Sequence, residues 1–167
     1  TTMLREIMDD TAERIGSELR DQPEVEAQVR IVLGTTYRDL GEFEEAETQH
    51  RRALEISRRT LGDDHRETLI AMNNLGLSLH KRGKHEEAEP LYREALAGLR
   101  RLLGDDDRET LTVVGNLGQL IYNTGRLDEA EPYHIEALEG CRRVEGPEHL
   151  DTLTAETNLG VLLHAMG

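Results

Sequence analysis

The stretch "LGDDHRETL" at residues 61–69 returns as "LGDDDRETL" at 103–111, 42 positions later with one letter changed, and as a looser "EGPEHLDTL" at 145–153, again 42 on. A fixed period of this length marks stacked copies of one supersecondary unit, each burying its apolar face against its neighbours. At the same period Leu33, Leu75, Leu117 and Leu159 align, each followed by a glycine: Gly34, Gly76, Gly118 and Gly160. Gly41, Gly83, Gly125 and Gly167 form a second glycine row, and Ala46, Ala88, Ala130 and Ala53, Ala95, Ala137 form two alanine rows.

Between the two glycine rows, segments such as "TLIAMNNLGLSLHKRG" space their apolar residues by three and four, the mark of an amphipathic helix. Each ends at a glycine suited to the left-handed position after a helix C-terminus. A second helical stretch follows, as in "KHEEAEPLYREALAGLRRLLG", with acids in its first turns and arginines in its last, an order that complements the helix dipole. The quoted phrase is then a helix start, in which Asp64 caps while Glu67 reaches back, as Asp106 and Glu109 do one period later. Each unit is helix A, a glycine turn, helix B and a short acidic loop. The A helices are expected near 24–40, 66–82, 108–124 and 150–166, the B helices near 43–60, 85–102 and 127–144, and a preceding helix near 3–19. These eight helices make an all-α fold of antiparallel helix pairs in one domain. The domain comprises a preceding helix at 1–20, repeats at 21–62, 63–104 and 105–146, and helix A of a fourth repeat at 147–167. Gly34, Gly76 and Gly118 inside A, and the alanines inside B, mark close helix approaches. Pro90 and Pro132 each remove a hydrogen bond from helix B.

Charge narrows the partners. Thirty-four acidic residues against twenty basic ones leave a formal charge of −14, the wrong sign for displacing counterions from a phosphate backbone, so nucleic acid is excluded as a partner. Cys141 stands alone, which rules out a disulfide framework and suits a reducing cytoplasm. No apolar run approaches the ~18 residues of a membrane span. The opening "TTMLREIMDD" lacks a signal pattern and reads as the cut end of a longer chain.

The Leu-Gly pair with Tyr37 three residues after Gly34, and in helix B an alanine, an often aromatic position (His50, Tyr92, His134) and a second alanine, resemble the tetratricopeptide repeat. The 42-residue period with "NNLG", "EEAEPLYREAL" and "LGDDHRETL" is similar to the kinesin-light-chain subtype, also found in bacterial signalling proteins. The segment "AERIGSELRDQPEVEAQVRIVLGTTYRDLGEFEEAE" resembles the start of such arrays behind bacterial serine/threonine kinase domains. The resemblance implies a right-handed α-solenoid whose A helices line a concave groove that binds peptides. Counted from the Leu-Gly row, the lining is Arg38, Asp39, Asn73, Asn74, Leu77, His80, Lys81, Asn116, Gln119, Tyr122, Asn123, Asn158, Val161 and His164. It departs from uniformity at Gly115 and at Thr157, which stands where the second repeat has Asn73.

Catalytic chemistry finds no footing. His80 and His164 share a register, as do His50 and His134, but each pair is two repeats apart, roughly 20 Å for packed helices, too far to share a metal. His85 follows His80 across a turn that disfavours chelation. Cys141 aligns with Ser57 and Leu99 and reads as an inert thiol. No phosphate loop, nucleophile elbow or HExxH motif occurs. The expectation is a non-enzymatic protein-interaction module without cofactor or metal. In the implied groove two fixed positive charges and one negative contrast with the acidity of the whole. Asn74, Asn116 and Asn158 repeat immediately before each Leu, and an amide both donates to and accepts from an extended peptide backbone. The same ladder could instead join neighbouring helices. Other readings are a structural spacer or self-association element, a ligand-sensing domain, and a regulatory domain of a larger signalling protein such as a kinase. A clamp for chaperone C-terminal carboxylates is disfavoured, because Ile31 and Thr35 occupy the places of its basic residues. Leu153, Leu159, Leu162 and Met166 of the last helix lack a following B helix, so a weak homodimer by end stacking is expected, sensitive to Leu162→Glu if Leu162 faces outward.

Overall fold

The computed structural model describes residues 2–167. Among them the chain forms eight α-helices and no strand: α1 (Thr2–Glu18), α2 (Pro23–Asp39), α3 (Phe43–Leu61), α4 (Arg66–Lys81), α5 (His85–Leu103), α6 (Arg108–Asn123), α7 (Leu127–Val144) and α8 (Leu150–Met166). Every boundary lies within one residue of its expectation. The helices α2, α4, α6 and α8 are the A helices, and α3, α5 and α7 the B helices. They gather into two compact units, α1–α4 up to Lys84 and α5–α8 from His85.

Local chemistry explains the boundaries. At the A-to-B turns Gly41, Gly83 and Gly125 have φ of 82°, 74° and 79°, a backbone that side chains rarely adopt. There Glu42 N–H donates to the Tyr37 carbonyl at 2.9 Å and Gly41 N–H to that of Arg38 at 3.0 Å, satisfying two orphan helix carbonyls. The Gly83 and Gly125 turns repeat this pair of bonds. At the helix starts the caps sit one residue later than expected. Asp107 precedes α6 and its carboxylate accepts from Glu109 N–H at 2.8 Å, while His149 Nδ1 accepts from Asp151 N–H before α8. Asp106 is drawn away to Arg143 of α7, at 2.5 Å. At α4 the cap position is His65, whose ring meets Glu67 at 2.5 Å. The helices α5 and α7 run through Pro90 and Pro132, which both face solvent.

In the first unit Met8 and Ile15 of α1 join Leu33, Tyr37 and Ala46 in a core. The Tyr37 hydroxyl donates to Asp9 at 2.6 Å, and burial with this bond raises the phenol pKa. His50 of α3 is wholly buried and ties three helices together. Its Nε2–H donates to the Ile31 carbonyl of α2 at 3.3 Å, and its Nδ1 accepts from the Ser78 hydroxyl of α4 at 2.7 Å. This is possible because position 34 has no side chain: a Cβ there would lie 2.5 Å from His50 Nε2. Glu47, also buried, is met by Arg51, by Arg82 at 2.5 Å and by Lys84 at 3.0 Å. Burial works against its ionised form, but these three cations hold its pKa below the ordinary value.

The second unit repeats the scheme with other side chains. A Cβ on Gly118 would lie 3.0 Å from Tyr133 Cβ and 3.4 Å from the His134 ring of α7, and a Cβ on Gly140 would run into the Leu111 methyls of α6. The first repeat holds Ala27 and Ile56 where the third holds Leu111 and Gly140, so the large and small partners have exchanged places. Glu89 takes the register of Glu47 and pairs with Arg93 at 2.7 Å and Arg126 at 2.6 Å. Arg93–Glu129 at 2.8 Å and Arg100–Glu136 link α5 to α7.

Leu162, expected to be available for end stacking, is instead fully buried, so Leu162→Glu would put a charge into the packed side of α8 and not onto a stacking face. Leu153 (45% exposed), Leu163 (48%) and Met166 face outward instead.

Candidate functional site

Each A helix buries one arc and leaves the other uncovered. In α6 the buried arc is Leu111, Val113, Val114, Leu117, Gly118, Leu120 and Ile121, and the uncovered one, beyond the first turn, is Thr112, Gly115, Asn116, Gln119, Tyr122 and Asn123. This is a direct result of helical spacing: residues three and four apart share a face. The expected site residues fall on these uncovered arcs.

In the first unit, α2 supplies Arg38 and Asp39, and α4 supplies Asn73, Asn74, Leu77, His80 and Lys81. Lys81 and Asp39 are exposed, Arg38, Asn73, Asn74 and Leu77 half-buried. His80 is 9% exposed and so the one buried residue of this set. Arg38 Nη2 stands 3.5 Å from Asp39, so the one acid of the set is beside one of its cations. In the second unit α6 supplies Asn116, Gln119, Tyr122 and Asn123, and α8 supplies Asn158, Val161 and His164. Asn123, Val161 and His164 are exposed and the others half-buried. Gln119 Nε2 donates to Asn123 Oδ1 at 3.0 Å, a bond along α6 that presents both amides together.

Away from these arcs, three buried side chains have shifted pKa values. His50 has its pKa pushed down to about 4, first by burial, with the Ile31 carbonyl opposing and Arg38 adding to it, so the ring is neutral at pH 7. Burial lowers His134 in the same direction. Cys141 is buried and its thiol pushed up by burial and by Asp151 and Glu145, the opposite of an activated nucleophile. Among the described residues no three His, Cys, Asp or Glu side chains are placed to hold a metal ion, and no helix is long and apolar enough to cross a membrane.

Sequence reasoning missed the cation cluster on Glu47 and the matching pairs of Glu89. A signal was present: Glu47 and Glu89 align, and so do Lys84 and Arg126. Nothing in the spacing alone says that residues 35 to 37 positions apart meet.

No curated protein matches the chain. Among solved structures it is similar to BtubC (BKLC) from P. vanneervenii, with 27% identity over 87% of this chain and a TM-score of 0.75, and it spans only 58% of that protein's length. It is also similar to a putative kinesin light chain of Podosopora anserina with nearly identical TPR-like repeats, at 20% identity and a TM-score of 0.80, covering 87% of this chain and 69% of that one. A variant of the same protein gives 0.79, with 20% identity over 87% and 68%. The tetratricopeptide repeat pattern matches residues 26–101, 71–122 and 107–167. Those overlapping matches take in all the A and B helices but for the first residues of α2, and the chain belongs to the tetratricopeptide repeat family, with likenesses of the kinesin-light-chain kind.

Proposed function

We propose that the uncovered arcs of the A helices bind an extended peptide segment of a protein partner. Tetratricopeptide repeats are in general non-enzymatic scaffolds for protein interactions, and this chain has their fold. The observation that carries the finer reading is one position of the repeat, Asn74 in the first unit and Asn116 and Asn158 in the second, each half-buried on the uncovered arc of its own helix. Asparagine is an indifferent helix former, so three in one register are kept for their amides, which can donate and accept along a peptide backbone whatever its side chains. The test is capture of partners from source lysate by the wild-type chain and by Asn74/Asn116/Asn158→Ala, with melting followed in both. Loss of capture with an unchanged melting point supports the reading. A sharp fall in melting with capture intact assigns the row to helix packing.

A second reading, self-association, has its own observation. Leu153, Leu163 and Met166 of α8 are exposed, and nothing lies within 4 Å of a Cβ on Gly160, although the matching Gly34 and Gly118 are covered by His50 and His134. A second copy covering this face gives a weak homodimer. A regulatory place in a larger signalling protein, a kinase included, rests on the resemblance of the opening segment. A cytoplasmic location rests on the lone reduced Cys141.

A further inference from the structure

Gly115 is a glycine without a packing reason. At Gly34, Gly118 and Gly140 an added Cβ would strike a neighbouring helix, which explains those glycines, but at Gly115 nothing lies within 4 Å of it. It does not belong to the repeat's glycine rows either: its register holds Ile31, Asn73 and Thr157 elsewhere. Glycine inside a helix weakens it relative to alanine, and here no helix contact is gained in return. Departures from local preference that packing does not explain collect at functional positions.

Its surroundings say what would fit. Beyond the first turns, the uncovered residues of α6 include no Asp, Glu, Lys or Arg, and those of α8 include one, Glu156, which is paired with Arg142 of α7; Thr, Asn, Gln, Tyr122, Val161 and His164 make up the arc that carries Asn116 and Asn158. That is unusual for a chain with 32% charged residues, and it differs from the first unit, where Arg38, Asp39 and Lys81 share the corresponding arcs. Gly115, Gln119 and Tyr122 follow at helical spacing on one stripe, so the missing side chain leaves a gap in the row before the Tyr122 ring.

We propose that the α6/α8 face accepts a peptide segment without fixed charges that seats one bulky apolar side chain over Gly115, beside Tyr122. This rests on the reading that the A-helix arcs bind peptide. A charged side chain here would lose hydration without gaining a counter-charge, whereas an apolar one gains contact with the helix backbone and the tyrosine ring. Gln119 and Asn158 are left to bond the segment's backbone.

The test uses a random dodecapeptide library displayed on phage and selected on the whole chain. The enriched peptides are then measured as synthetic peptides against wild type, Gly115→Ala, Gly115→Leu and Asn74/Asn116/Asn158→Ala. The expected motif is uncharged with one large apolar residue. Its affinity should fall roughly tenfold or more with Gly115→Leu, and less with Gly115→Ala, while neither variant melts below wild type. A charged motif, or affinity untouched by Gly115→Leu, overturns the inference. If binding is lost only in the asparagine variant, peptide binding by the arcs stands and the Gly115 seat falls. If the wild-type chain enriches nothing, both fall together.

Discussion

His50 and Gly34 show how one residue decides another. The imidazole reaches the Ile31 carbonyl only because residue 34 lacks a Cβ. Gly34→Ala should therefore displace the ring, leave the Ser78 bond broken and destabilise the chain by about 1–3 kcal/mol. An unchanged urea midpoint would show that α2 and α3 can part without loss. The buried histidine also predicts an acid response. Its folded pKa is about 4 against an unfolded value of about 6.5, so between these pH values the unfolded chain binds a proton that the folded chain does not. Stability is complete above about 6.5 and declines as pH falls towards 4, by up to about 1.4 kcal/mol per pH unit. His134 acts in the same direction, and Glu47 and Glu89 join only in the carboxylate range. Urea midpoints measured from pH 7 to 5 should fall less steeply in His50→Gln; equal slopes would remove His50 from the account.

At the level of elements, the helix ends were legible in the sequence alone. Gly41, Gly83 and Gly125 stop the A helices by backbone geometry that depends on the glycine itself, so periodicity and composition were enough. The helix starts were legible only to within a residue. "GDDDRE" offers three adjacent carboxylates, of which Asp107 takes the cap, at the register that His65 and His149 hold in the other repeats, while Arg143, 37 positions away, engages Asp106. Asp107→Ala should cost about 1 kcal/mol as a lost cap, and Asp106→Ala, which breaks an exposed ion pair, about 0–1 kcal/mol. Thermal melts of the two variants decide it, and a larger loss at Asp106 would move the cap back to the position first expected. The alanine rows were likewise readable: five of the six residues are wholly buried and Ala137 nearly so, because a close approach demands a small side chain whichever helix supplies the partner.

For the whole molecule, the open question of assembly turns on α8. Leu153 is 45% exposed where Leu111 one repeat earlier is 4%, so the face that α7 covers on α6 is uncovered on α8. Self-association through that face should appear as a concentration-dependent increase in mass by sedimentation, and Leu163→Glu should abolish it while leaving the buried Leu162 in place. A strict monomer at every concentration would eliminate this reading and leave the peptide-binding arcs as the leading one. The sequence by itself determined the period, the eight helices, their antiparallel pairing and the small residues at close contacts. These follow from local rules, three- and four-residue apolar spacing and glycine backbone freedom, which three near-copies state repeatedly. Only the tertiary structure decided that Leu162 turns inward, that His80 is mostly covered, that Glu47 gathers Arg82 and Lys84, and that Gly115 stands free while Gly34 and Gly118 are pressed by imidazoles. Helical spacing gives the arc on which a residue lies, but which neighbour covers that arc depends on side chains brought from tens of positions away.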